Sequence, residues 1–248
     1  MIESCHALQQ AYTDGKLGVY APAEATAPQF HSDEDRLVYY TLPMALNYRR
    51  PSHQLWEAAK TTYEDSATAY VFDLHRLSSD PCDTTGLQEG LMAHKLALQP
   101  TRHTANWHTI GNTIRYEWGS IEGLLSAAGY DFLKLRDLVR IIHKKQFPYL
   151  SGPKLFNFWC YILSEYGGVA FTNKQYIDIA VDSHVKRASV ALGVITQQEH
   201  DKLSAEAIAD RWREVLDGSS ITPADLNVPL WYWSRDNFCF RNGITYLA

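Results

Sequence analysis

The 248-residue chain predicts an all-α fold. Apolar residues recur at three- and four-residue steps in several stretches, no stretch alternates convincingly with period two, and proline- and glycine-bearing turns separate the periodic runs. Apolar types make up 46% of the chain, enough for a sizeable core in one large domain or two small ones. No run of about 18 uncharged apolar residues occurs, which predicts no membrane span. Met1–Gln9 lacks the basic-then-apolar pattern of a signal peptide, so the expected location is cytoplasmic.

Residues 1–35 combine a short helical start with an Ala/Pro/Thr-rich stretch, Ala21–Pro28, expected to be an irregular lead-in. The apolar run Leu37–Leu46 is followed by Asn47-Tyr48-Arg49-Arg50-Pro51, where the proline ends an element and Ser52 is placed to cap the next. Helices are predicted over Ser52–Thr62 and Ser66–Leu77. Ser78–Thr85 is turn chemistry leading to a helix over Gly86–Leu98, and further helices are expected over Thr104–Tyr116 and Ile121–Ala128. Near the C-terminus, Thr196 and Ser204 are candidate caps within Thr196–Leu216, and Ala205, Ile208, Trp212 and Val215 form an apolar stripe. The segment Val228–Phe240 places Trp231, Tyr232 and Trp233 beside Arg235, either packing against the N-terminal helices or lining a site for a planar base.

The clearest amphipathic stretch is Asp131–Lys145: Phe132, Leu135, Leu138, Val139 and Ile142 form its apolar face, and Asp131 is placed to cap it. Two prolines and a glycine in Gln146–Pro153 force a tight turn. Pro153 suits a first helical position, so Lys154 falls in the first turn of a helix, Lys154–Tyr166, that is apolar nearly all round and therefore buried; Gly167-Gly168 stops it. Then comes Val181-Asp182-Ser183-His184-Val185-Lys186-Arg187.

Several function classes fall away. Cys5, Cys82, Cys160 and Cys239 stand too far apart for a zinc or iron–sulfur site and read as free, buried thiols. His94, His103 and His108 do not place two ligands on one helix face, and neither a glycine-rich phosphate loop nor a nucleophile-elbow serine occurs; no metal or cofactor is expected. The net charge of −5 argues against a uniformly basic face, though a local patch is compatible with it.

Gly152-Pro153-Lys154 followed by Asn157, and the Val-Asp-Ser-His-Val-x-Arg segment after it, together resemble the helix–hairpin–helix DNA glycosylase superfamily of endonuclease III and the 8-oxoguanine glycosylases. The resemblance covers about a quarter of the chain, residues 130–190, with a looser similarity at Asp225–Trp231. It implies a two-lobed all-α helix–hairpin–helix fold over residues 1–248, with the helix–hairpin–helix at 131–166 and an extended loop and aspartate motif at 170–187. It also implies Lys154 as a lyase-type lysine, Asp182 as the catalytic carboxylate, and duplex DNA with a modified base as the partner. Ser151, Gly152, Asn157, His184, Lys186, Arg187, Arg140, Lys144, Trp231 and Arg235 are the expected substrate and DNA contacts, with Arg136 and Lys145 in the same basic set. The chain departs from the pattern in two places. Leu150 stands where the family's first hairpin glycine is expected, which weighs against a backbone grip on phosphate. The stretch from Lys154 to Asp182 is long, with Ala170–Ile179 as a candidate loop over the pocket.

The chemistry fits these residue types. Breaking an N-glycosidic bond builds positive charge on the sugar, which a carboxylate stabilises. A lysine attacks the anomeric carbon only as the neutral amine, which burial and the positive end of a helix dipole both favour. Read alone, each motif has a plainer explanation: Lys154 as a solvated surface charge, Asp182 as the cap of a helix carrying Val185, Ala188 and Ala191, and Asp178 as a solvent-facing carboxylate. Two rivals remain open: an N-glycosidase acting on a free nucleoside or RNA, and a helical protein that binds DNA without cleaving it.

Overall fold

A computed structural model describes residues 1–18, 23–47, 50–79 and 82–245. The described residues are mostly helical and form no strand; one isolated parallel bridge joins Asp131 to Thr172. Backbone contacts divide the chain into two compact units, one made of residues 1–20 and 173–248, the other of residues 21–172.

The first unit joins the N-terminal helix α1 (Ile2–Thr13) to four C-terminal helices. Its core gathers Leu8, Val185, Ala188, Ile208, Trp212, Leu226, Leu230 and Trp233, all essentially inaccessible. The second unit holds eight α-helices among its described residues: α2 (Asp33–Thr41), α3 (Ser52–Glu64), α4 (Leu74–Leu77), α5 (Thr84–Ala93), α6 (Pro100–Trp118), α7 (Ile121–Ala127), α8 (Phe132–Asp137) and α9 (Pro153–Glu165). An aromatic core of Tyr39, Trp56, Phe72, Trp107 and Trp159 fills it. The indole of Trp107 donates to the Val71 carbonyl (2.8 Å) and that of Trp159 to Thr41 Oγ1 (3.0 Å), which satisfies two buried donors.

Several boundaries differ from the sequence expectations, each for a local reason. Ser52 does not cap α3. Pro51 holds the cap position, and the Ser52 hydroxyl instead donates to the buried Glu24 carboxylate at 2.8 Å. The helix expected over Ser66–Leu77 is two short pieces, a 3-10 turn Ala69–Phe72 and α4, because Asp73 lies extended between them and accepts from the His75 N–H. α5 starts two residues early on an Asp83 cap and ends at Ala93, short of Leu98. α6 is longer than expected, from Pro100 at its first turn to Gly119, whose positive φ ends it. Ala21, Pro22, Tyr48, Arg49, Asp80 and Pro81, parts of the predicted lead-in and turns, lie outside the described residues.

The largest correction concerns Asp131–Lys145. Asp131 caps α8 as expected, accepting from Leu133 and Lys134 N–H, but the regular helix stops at Asp137 and continues as a π turn, Leu138–Ile142. There the His143 N–H reaches back to the Leu138 carbonyl (2.8 Å). The wider turn shifts the register. Ile142 leaves the apolar stripe and is 64% exposed, beside Ile141 at 68%. Lys144 and Lys145 lie in the turns that follow rather than at a helix end.

Candidate functional site

In the first unit, residues 177–182 alternate. Ile177, Ile179 and Val181 are buried, whereas Asp178, Ala180 and Asp182 are only half covered. The backbone is extended at both ends of this run, so the alternation follows from strand-like geometry without a ladder partner. This pattern went unread in the sequence. The candidate loop Ala170–Ile179 is accordingly anchored, with Ile177 and Ile179 buried and a 3-10 turn at Lys174–Tyr176. Asp178 is not solvent-facing either: it is half buried and pairs with Arg213, which also takes Asp210.

Asp182 ends the run and caps helix α10 (Ser183–Ala191). One carboxylate oxygen, Oδ1, accepts from the N–H groups of His184 and Val185, both at 2.9 Å. The other, Oδ2, accepts from the Trp231 indole N–H at 3.0 Å. Trp231 is on the last helix, α13 (Asn227–Arg235; α11 is Gln197–Lys202 and α12 is Ala205–Leu216), which packs along α10. The His184 ring meets the Trp231 ring edge-on at 5.2 Å, and the Arg235 guanidinium sits 5.0 Å from the indole centroid. His184 Nδ1 is buried without a hydrogen-bond partner. Four residues chosen from sequence, Asp182, His184, Trp231 and Arg235, thus form one cluster. Asp182 lies at the positive end of the α10 dipole.

Asn227 belongs to this cluster and sequence reasoning missed it. It is 5% exposed, and its Oδ1 accepts from the Ala180 N–H at 2.6 Å. The available signal was its place one helical turn before Trp231 on the same face. Lys186 turns away from any phosphate role: its ammonium donates to the carbonyls of His200 (3.4 Å) and Leu203 (3.1 Å), at the end of α11. Arg187 is exposed, with its guanidinium 5.3 Å from the Phe238 ring centre.

The hairpin belongs to the second unit, and so does Lys154. Phe147 and Leu150 are fully buried, so Leu150 anchors the turn from inside. Tyr149 takes a positive φ of 60°, and Gly152 occupies the cap position of α9 in an extended conformation. No side chain caps this helix, which leaves first-turn N–H groups open. Lys154 is exposed, so the burial expected to favour its neutral amine is absent. Arg140 is engaged internally: its Nε donates to the Ser151 carbonyl (3.2 Å), and its guanidinium lies 5.9 Å from the Phe156 ring centre. Asn157 is buried and braces its own helix through the Pro153 carbonyl (2.9 Å). Lys144 and Lys145 are exposed.

Among the described residues no group of three or more His, Cys, Asp or Glu side chains could hold a metal ion, and no helix is long and apolar enough to cross a membrane. His94 instead bonds Asp65 (2.8 Å), and His103 accepts from the Leu98 N–H (3.1 Å). The four cysteines are free; Cys5 and Cys160 are buried as expected, whereas Cys82 is half exposed and Cys239 exposed. No protein-family model, curated protein or solved structure matches the chain.

Proposed function

We propose that this protein is a DNA N-glycosylase that removes a damaged or modified base, with abasic-site lyase action through Lys154. The observation that carries the reading is the state of Asp182: a half-exposed carboxylate at a helix N-terminus, held by three N–H donors. Such a group is already oriented before substrate arrives, so it stabilises developing positive charge on a sugar without reorganising. The order along the chain also supports it: hairpin, lysine-bearing buried helix, then aspartate cap.

In this reading the base departs with the bonding electron pair and takes a proton from solvent, Asp182 stabilises the oxocarbenium-like sugar, and water adds at the anomeric carbon, releasing a proton, to leave the abasic sugar. Exposure of Lys154 makes its amine accessible to an abasic sugar. The deprotonated amine condenses with the sugar's aldehyde, losing one water, and the Schiff base permits elimination of the 3′ phosphate. The test is borohydride trapping on an abasic-site duplex, wild type against Lys154→Ala, with base release from a panel of damaged duplexes for Asp182→Asn. A covalent adduct lost in the Ala variant is expected; no adduct in either protein removes the lyase role. Base release that survives in Asp182→Asn removes the carboxylate's role.

One observation favours a second reading, N-glycosidic cleavage of a free nucleoside or RNA. Two of the cations assigned to phosphates, Arg140 and Lys186, are engaged within the fold, and the net charge is −5. Steep salt dependence of duplex DNA binding is the result that excludes it.

A further inference from the structure

We infer that Asn227 and Trp231 act as a two-point clamp that sets the orientation of Asp182, with Trp231 a positioning residue. The inference rests on the reading of Asp182 as the working carboxylate. Asn227 and Trp231 are four residues apart on α13, an advance of about 6 Å along the axis. Their partners, the Ala180 N–H and the Asp182 carboxylate, are two residues apart in extended chain, which spans about 6.6 Å. The two spacings match, so one helix face holds the run 180–182 at both points at once.

The clamp acts on the oxygen that matters. Oδ1 is taken by the two N–H groups of α10, so Oδ2 is the oxygen left to face a substrate. The two N–H groups hold the carboxylate from the Oδ1 side alone; the indole N–H holds it from the Oδ2 side, so any turn about Cβ–Cγ must break bonds at both oxygens. Arg235, with its guanidinium near the indole face, draws electron density from the ring and strengthens its N–H as a donor. The His184 ring meets Trp231 edge-on, and Tyr232 meets it from a third direction. With its N–H committed to the carboxylate and these neighbours against its ring, Trp231 is held in place beside Asp182.

Trp231→Phe tests this, because it keeps an aromatic ring against His184 and Arg235 while it deletes the donor together with the second ring of the indole. Trp233→Phe is the control: it also deletes an indole N–H bond, the one to the Phe240 carbonyl (2.7 Å), away from Asp182. Amide hydrogen exchange at His184 and Val185 reads the seating of Asp182 without any substrate. About tenfold faster exchange at both is expected in Trp231→Phe and no selective change in Trp233→Phe; unchanged exchange in Trp231→Phe overturns the clamp whatever the protein's activity. On a substrate that the wild type cleaves, single-turnover base release should slow by about a hundredfold with KM unchanged, since a small misplacement of a catalytic group costs that much. Faster exchange with undiminished base release overturns the positioning role. A wild type that releases no base from the panel defeats the glycosylase reading, and the exchange data still decide the clamp. Asn227→Ala, which removes the other point, gives the same two readouts if the Phe variant does not fold.

Discussion

Trp212 and Ser189 share a fully buried hydrogen bond: the indole N–H donates to Ser189 Oγ at 2.8 Å, and that hydroxyl in turn donates to the Val185 carbonyl at 2.8 Å. Ser189→Ala leaves the Trp212 donor unsatisfied inside the core. It should cost about 1–3 kcal/mol in urea denaturation, and adding Trp212→Phe should recover part of the loss, because an apolar pair no longer strands a donor.

Capping and chemistry at Asp182 separate by substitution. Asparagine still accepts from the His184 and Val185 N–H groups but turns its own NH2 toward the Trp231 indole N–H, so Asp182→Asn should lose about 1 kcal/mol, whereas Asp182→Ala, which gives up all three bonds, should lose about 2 kcal/mol. Both remove the negative charge, so base release should fall by about a hundredfold or more in each. Thermal melting alongside single-turnover kinetics checks both halves.

Leu150 and Ile142 both depart from expectation: the family resemblance expects a glycine at position 150, and helical spacing puts Ile142 in the core. Leu150 is fully buried where a glycine was expected, and Ile142 is exposed where a core residue was expected. Leu150→Ala should therefore destabilise by about 2–5 kcal/mol, and Ile142→Ser by no more than about 0.5 kcal/mol. Chemical denaturation of the two variants is the measurement.

Lys144 and Lys145 are exposed cations beside the hairpin, while Arg140 is bound to it. If duplex DNA lies there, replacing each lysine with Gln should reduce the slope of log affinity against log salt by up to about 0.9. Arg140→Gln should instead lower stability, by freeing the Ser151 carbonyl and exposing Phe156. A salt titration of binding, with melting curves as the companion measurement, distinguishes the two kinds of cation.

His103 confers a pH dependence. Burial first, then the charges of Arg50 and Arg102, hold its imidazole below the ordinary value of 6.5, and its Nδ1 accepts from the Leu98 N–H, which only the unprotonated nitrogen does. Above the ordinary range both folded and unfolded chains carry a neutral ring. As pH falls through that range the unfolded chain takes up a proton that the folded one refuses, so stability falls until the lowered folded value is reached. Comparing urea midpoints at about pH 8 and about pH 5.5, the loss on acidification should be smaller in His103→Gln than in wild type.

Local signals in the sequence were readable where chemistry is local. Asp131, Thr196 and Ser204 cap the helices that follow them, Pro153 opens α9, and the apolar run behind it is buried. The π turn was not readable, because Leu135, Leu138, Val139 and Ile142 keep an ordinary helical rhythm; the departure shows only once Arg140 is seen bonded to Ser151. The run Ile177-Asp178-Ile179-Ala180-Val181-Asp182 does alternate, and was passed over because it is one short extended segment among helices. The partners of Ala180 and Asp182 lie 47 and 49 residues away, beyond any periodicity argument. The amine of Lys154 sits at a helix start as read, but its exposure depends on which neighbours cover that end of the helix, and adjacent sequence does not encode that.

The discontinuous make-up of the first unit has a consequence during synthesis. Helix α1 leaves the ribosome first, yet it packs against α13, which is made more than two hundred residues later. The second unit is continuous, and its sequence is complete once residue 172 has emerged. The nascent chain therefore carries the apolar face of α1, with Cys5, Leu8 and Ala11, uncovered by its partner while the intervening unit acquires its core. Over that interval the apolar face of α1 stays open to chaperones or to wrong partners, until α13 emerges to cover it.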